Sequence, residues 1–276
     1  MAVPITLTTD FGTRDGYAGV MKGVITRIYA DVSFIDITHE APSWDLRGTA
    51  FLLWSALPYF REDSIHVVVV DPGVGTQRRA IAVWTPWGTL VGPDNGVFSY
   101  VWETARPTFM VSLDDEGGHL PYVSGTFHGR DIFAPVAAHI ARGVPMRDLG
   151  TAIRDPVRLP LPLFESSVNR LAGEVLYIDT FGNAITSIGQ LLWENGKVRL
   201  AQAFGSGPSY TFDPAQLKVR VGGRELGALR YTYADAAPGE PLALVGSSGM
   251  IEIAINQGHA ATELGLAVGD KVEILS

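Results

Sequence analysis

The chain predicts an α/β N-terminal domain, with a central mostly parallel or mixed sheet flanked by helices, followed by a C-terminal antiparallel domain of β-barrel-like form. Three observations carry that prediction. Val67-Val68-Val69-Val70 is a run of four β-branched residues, the mark of a strand covered on both faces. Strand-like and helix-like segments alternate on either side of it, as far as Arg142. Beyond a proline-rich stretch the pattern changes to short strands separated by glycine-rich turns. The predicted boundaries are 1–155 for the first domain, 156–168 for a linker and 169–276 for the second.

Ile5 to Thr9 reads as the first strand, emptying into Asp10-Phe11-Gly12-Thr13-Arg14-Asp15-Gly16. Tyr17 to Tyr29 follows as a helix, with Val20, Met21, Val24, Ile25 and Ile28 at helical spacing. Asp15 suits its N-cap and Asp10 suits the turn. Val32 to Ile37 is the second strand. Ser43-Trp44-Asp45 opens a helix to about Tyr59, capped by Ser43 or Asp45. The valine strand comes third and ends on Asp71-Pro72-Gly73-Val74-Gly75, a sharp turn at the carboxyl edge of the sheet, where ligands of open α/β sheets sit. Ala80 to Thr85 and Gly88 to Val91 form a hairpin around Pro86-Trp87. The Gly92-Pro93-Asp94-Asn95-Gly96 turn reads as structural, and Phe109 to Val111 as a short strand. Gly125-Thr126-Phe127-His128-Gly129-Arg130-Asp131 leads into a helix to Arg142, with Arg130 and Asp131 as an ion pair at its start.

Pro156, Pro160 and Pro162 alternate with leucines and stiffen the predicted linker. The second domain is predicted to contain strands at 173–178, 184–188, 197–200, 217–221, 242–245, 251–255 and 271–275. The polar loops Asp179-Thr180-Phe181-Gly182-Asn183 and Gly246-Ser247-Ser248-Gly249 stand out between them.

Composition excludes several classes. Across 276 residues the net charge is -8 and no Lys/Arg cluster occurs, which removes the basic footprint that nucleic acid requires. Cys 0 leaves neither disulfides nor thiolate metal sites and fits a reducing, cytoplasmic compartment. The N-terminus lacks a signal-peptide pattern, and Ala50 to Leu57 falls far short of the ~20 apolar residues of a membrane span. A mean hydropathy of +0.16 predicts apolar surface buried between subunits.

Asp10, Asp15, Asp71, Asp94 and His128 fall mostly at strand ends. The 6 His include no His-x-His or His-x-x-x-His pair, so a metal-dependent hydrolase receives little support. No Gly-x-Ser-x-Gly, phosphate loop or Gly-x-Gly-x-x-Gly occurs. A metal-free site in which Asp71, Arg78 and His128 handle a water molecule remains. A metal-dependent phosphoester hydrolase stays open on the residues alone.

Five motifs occur in order: Thr-Thr-Asp-Phe-Gly, Asp-Pro-Gly-Val-Gly-Thr, Gly-Pro-Asp-Asn-Gly, Phe-His-Gly-Arg-Asp-Ile-Phe-Ala-Pro and Asp-x-Phe-Gly-Asn. Together, from Thr8 to about Leu266, they make the chain resemble the S-adenosyl-L-methionine hydroxide adenosyltransferases, relatives of the fluorinating and chlorinating enzymes. The resemblance implies a homotrimer, with substrate between the N-terminal domain of one subunit and the C-terminal barrel of its neighbour. It implies Asp71, Arg78 and His128 as the water-handling set and Asp15 as the ribose carboxylate, with Asp10 alongside. Trp44 and Phe127 are implied aromatic contacts; Asp179, Phe181 and Asn183 would hold the methionine portion and the adenosine edge, joined by Ser247 and Ser248. S-adenosyl-L-methionine would be substrate, with no cofactor and no metal, and the products adenosine and L-methionine. The resemblance leaves two alternatives, halogenation of the same substrate and a non-catalytic adenosyl-ligand binding protein; a carboxylate at Asp71 repels a halide and favours hydrolysis over halogenation.

Overall fold

The computed structural model describes residues 2–167, 169–205 and 207–275. The chain divides into two compact units, Met1–Leu159 and Pro160–Ser276.

The first unit contains, in order, β1 (Val3–Thr9), α1 (Tyr17–Ile28), β2 (Val32–Thr38), α2 (Leu46–Ala56), β3 (Ile65–Val69), β4 (Ala80–Thr85), β5 (Gly88–Pro93), α3 (Ser99–Thr104), β6 (Phe109–Ser112), α4 (Ala134–Ala141) and β7 (Thr151–Ala152). Its strands form one mixed sheet of order β2-β1-β3-β5-β4-β6-β7. The pairs β1–β2, β1–β3 and β3–β5 are parallel, and β4 is antiparallel to both β5 and β6. The valine run explains itself here. Val67 and Val69 pack on one face with Ile5, Leu7, Met21, Ile25 and Phe133, whereas Val68 packs on the other with Leu53, Ile81 and Val101. Helices therefore cover both faces of β3, and each fully buried valine contributes roughly 1.5–3 kcal/mol.

Registration decides where the chemistry-bearing loops emerge. Thr9 of β1 pairs with Val69 of β3, so the chain after each strand leaves the sheet at the same carboxyl edge. Asp10 and Asp71 stand just beyond. α2 is capped by Asp45, whose Oδ1 accepts from the Gly48 N–H at 2.9 Å. The N-cap of α1 is Gly16 rather than the expected Asp15, and Gly16 has no side chain with which to cap. Asp94 and Asn95 are structural. Asp94 accepts from Arg79 Nε at 2.8 Å and the Val157 N–H at 2.8 Å, and Asn95 Nδ2 donates to the Val70 carbonyl at 2.9 Å.

The second unit contains β8 (Phe164–Ser167), β9 (Arg170–Ile178), β10 (Ala184–Gly189), β11 (Leu191–Glu194), β12 (Lys197–Leu200), β13 (Tyr210–Phe212), β14 (Lys218–Val221), β15 (Arg224–Glu225), β16 (Pro241–Val245), β17 (Met250–Ile255), α5 (Ala260–Leu264) and β18 (Lys271–Leu275). Its larger sheet runs β15-β14-β18-β9-β10-β17-β16, with β8 added to β9, and β11-β12-β13 form a separate sheet. All named pairings within the two sheets are antiparallel. The barrel expected from the turn spacing is a curled open sheet among the described residues. Its path ends at β15 and β16, which do not pair with each other.

Candidate active site

A cleft of about 250 Å³ opens at the carboxyl edge of the first unit's sheet. It is lined by Asp10 and Phe11 after β1, Ser43 and Trp44 before α2, Val69, Asp71 and Val74 at the end of β3, and Thr126 to Gly129. The parallel register brings these separate stretches together.

Arg78, buried behind this lining, joins Asp71 and His128, the two lining members of the water-handling set expected from the sequence. Its Nε donates to Asp71 Oδ1 and Oδ2 at 3.0 Å each, and its Nη2 donates to Asp71 Oδ2 at 2.5 Å. The same Nη2 lies 2.7 Å from His128 Nδ1. A guanidinium only donates, so Nδ1 accepts and the neutral ring carries its proton on Nε2. Burial, and next the positive charge of Arg78, hold His128 below the usual imidazole range; Asp71 and Asp131 oppose this. The side chains of Asp71 and Arg78 are only 4% and 9% exposed, so their pairing operates where water screens it little.

Glycine makes this arrangement possible. Gly75 sits at φ +76, and a Cβ there would stand 2.2 Å from the Gly125 carbonyl oxygen. The loop carrying Asp71 and Arg78 thus lies backbone against backbone on the loop that leads to His128.

Trp44 stands at the mouth, 75% exposed, with φ 64, a conformation costly for an aromatic residue. Its N–H donates to Asp10 Oδ2 at 3.2 Å, which accounts for Asp10's place. Phe127 forms one wall, its ring edge-on to Phe11 and Tyr17 at 5.8 and 5.2 Å between centroids. Asp15 is exposed and lies outside the cleft lining.

The remaining expected residues belong to the second unit. Asp179 Oδ1 accepts from the N–H groups of Phe181 and Asn183 at 2.9 Å each, and its Oδ2 accepts from Asn183 Nδ2 at 3.1 Å. This turn buries Asn183 and leaves Phe181 76% exposed. Ser247 and Ser248 occupy the β16–β17 turn, closed by the Gly249 N–H on the Gly246 carbonyl at 2.9 Å. Glu252 was not foreseen. Ile185 of β10 pairs with Tyr177 on one side and Glu252 on the other, which puts Glu252 on the sheet face of Tyr177 and so of Asp179. Glu252 is buried and accepts from Tyr233 Oη at 2.5 Å; burial first, and then the charge of Asp179, push its carboxyl up. The available signal was a carboxylate interrupting the apolar run Met250 to Ile255. Phe11, Ser43, Val74 and Thr126 were also missed, because only the register reveals that their loops converge.

Among the described residues no group of three or more His, Asp or Glu side chains is placed to hold a metal ion, and no helix is long and apolar enough to cross a membrane.

An (R)-S-adenosyl-L-methionine hydrolase of Thermus thermophilus is 39% identical over 285 residues, covering 99% of each chain. A fluorinase of Actinopolyspora mzabensis is more distant, 27% identical over 98% of this chain and 96% of its own. The crystal structure of an uncharacterized conserved protein from Thermotoga maritima superposes with a TM-score of 0.85 at 33% identity, covering 99% of this chain and 100% of that one. Family models for the SAM hydroxide adenosyltransferase N-terminal and C-terminal domains match residues 5–150 and 173–273, so the chain belongs to the SAM hydroxide adenosyltransferase family.

Proposed function

We propose that the chain hydrolyses S-adenosyl-L-methionine to adenosine and L-methionine, by in-line attack of a water molecule held by Asp71, Arg78 and His128. The observation that carries this reading is the double engagement of Arg78, which ties a carboxylate and an imidazole side by side in one cleft.

The substrate is a sulfonium. Its sulfur leaves as a neutral thioether and needs no general acid, so the demand falls on the nucleophile. The lone pair of His128 Nδ1 is committed to Arg78, which leaves the Nε2–H to donate to the water and orient it. Asp71 is then the group that accepts the proton. The O–C5′ bond forms as the C5′–S pair returns to sulfur, and the Arg78 guanidinium stabilises the hydroxide-like oxygen. Holding the oxygen in line with C5′–S supplies up to ~7–11 kcal/mol of positional advantage. Halogenation is the less favoured outcome, because the Asp71 carboxylate faces the place a halide would have to occupy.

The methionine portion is assigned to Asp179, Asn183, Ser247 and Ser248, and the adenosyl portion to Asp10, Asp15, Trp44, Phe127 and Phe181. A homotrimer that completes each site with the neighbouring subunit's β unit belongs to the same reading. It is supported by the large aromatics left exposed on each unit, Trp44 on the first and Phe181 on the second. Catalysis uses side chains and water alone, without cofactor, and the cysteine-free composition suits a cytoplasmic location.

The test is turnover in ¹⁸O-labelled water. The label is expected on the 5′ oxygen of adenosine; label in methionine, or no adenosine at all, would overturn the proposal.

A further inference from the structure

Asp71 and Arg78 are held by each other. His128 is not: it stands at the end of the irregular stretch Ser124–Phe127, outside any strand, and its alignment to Arg78 depends on what fixes that stretch. The structure supplies a chain of contacts leading to one buried group. Asp131 is fully buried, and its Oδ2 accepts the Ser124 N–H at 2.9 Å. Ser124 Oγ in turn accepts the Phe127 N–H at 3.1 Å. On the other side Asp131 receives Arg130, Nε to Oδ1 at 2.6 Å and Nη2 to Oδ2 at 3.0 Å. That guanidinium lies over the Phe127 ring, 5.2 Å from its centroid.

One carboxylate therefore ties both the backbone and the ring of the residue immediately before His128. The Phe127 carbonyl accepts from the N–H groups of both Arg130 and Asp131 at 3.1 Å. Here the chain enters the π-helical turn Gly129–Phe133, a geometry rare enough to mark functional positions. The Asp131 carbonyl is itself anchored by the Leu120 N–H at 2.9 Å.

We propose that Asp131, acting through Ser124 and Arg130, is the positioning residue that holds His128 in register with Arg78 for the hydrolysis proposed above. A merely structural carboxylate would lower the melting temperature when changed and leave turnover of the folded enzyme alone. A positioning carboxylate governs kcat.

The experiment uses the full-length enzyme and measures kcat and KM for S-adenosyl-L-methionine in the wild type, Asp131→Asn, Ser124→Ala and the double variant, each at a temperature where circular dichroism shows it folded. Asn keeps an acceptor for Ser124 and loses the pairing with Arg130. Each single change is expected to lower kcat about 10- to 30-fold with KM within about threefold, and the double variant to be no worse than about twofold below the poorer single, because both cut the same tie. Arg130→Lys provides a milder second route and should lower kcat about threefold to tenfold. The pH profile is a further readout. The charged and titratable groups that act on His128 are Arg78, Asp71, Asp131 and His119, of which Asp71 and Asp131 raise its pKa. Removing the Asp131 charge should move the acid limb of kcat to lower pH. Folded variants with wild-type kcat, or fully multiplicative losses in the double variant, would overturn the inference. The proposed function fails separately, if the wild type itself yields no adenosine in this assay.

Discussion

Replacing Arg78 by lysine tests the central geometry without removing its charge. Arg78 donates from Nε to both Asp71 oxygens and from Nη2 to both Asp71 and His128. A lysine ammonium is a single point on a flexible stem and cannot present that fork, so it reaches Asp71 or His128 but not both in the same alignment. One to two charge-assisted hydrogen bonds are lost, each worth about 1.5–3 kcal/mol. Because the positive charge remains, the buried Asp71 is not left uncompensated, and most of the loss falls on the reaction. An increase in barrier of about 3–4 kcal/mol corresponds to a roughly 100- to 1,000-fold drop in kcat. The assay is the initial rate of adenosine formation at saturating S-adenosyl-L-methionine, followed chromatographically, with a thermal melt run in parallel. A folded Arg78→Lys enzyme within threefold of wild-type kcat would refute the argument, since it would show that the fork is not what aligns the water.

Further outcomes follow from the same structure. Gly75→Ala places a Cβ against the Gly125 carbonyl and should lower kcat at least tenfold through displacement of the His128 loop; unchanged kinetics would show that the two loops need no such contact. His66 is fully buried, its Nε2 donating to the Trp87 carbonyl at 2.8 Å and its Nδ1 accepting from Thr6 Oγ1 at 2.8 Å, and burial lowers its pKa from 6.5 to about 4. The unfolded chain therefore takes up a proton first as pH falls. Stability from this residue is full above pH 6.5 and declines towards pH 4 by roughly 3 kcal/mol, which denaturant titrations of wild type and His66→Gln at pH 7.5 and 4.5 will read as a shallower pH dependence in the variant. Activity is expected to survive exhaustive treatment with a strong chelator. Loss that is restored by adding back a divalent cation would contradict the metal-free step.

Much of the first unit was legible because its signals are local. A run of β-branched residues marks β3, helical spacing marks α1, and Pro-Gly after Asp71 marks the turn. The coming together of Asp71, Arg78 and His128 was legible only by excluding other kinds of site and through a family resemblance, since 50 residues separate Arg78 from His128 in the chain and no spacing rule spans them. The helix starts at Tyr17 as read, but its N-cap is the residue immediately before, Gly16, which leaves Asp15 one position too early to cap it. In the second unit, β8 escaped notice because Glu165-Ser166-Ser167 is polar and edge-facing, and β13 and β15 because they span three and two residues. α5 is held by tertiary and capping contacts, the His259 Nδ1 accepting from the Thr262 N–H at 3.2 Å, rather than by helical periodicity over its five residues. The antiparallel strands of the second unit were legible from alternation, whereas how far the sheet closes depends on which edges meet, and among the described residues β15 and β16 do not pair.

The hold of Arg78 on its two neighbours has one more consequence. A sulfonium that yields to water is an alkylating agent, and it is equally open to any carboxylate oxygen or imidazole nitrogen brought near the same carbon. Hydrogen bonds from one guanidinium to both oxygens of Asp71 and to Nδ1 of His128 weaken these atoms as competitors for that carbon, while the carboxylate keeps a further lone pair for the proton of the proposed step. The chain contains no thiol that such a reagent would otherwise consume.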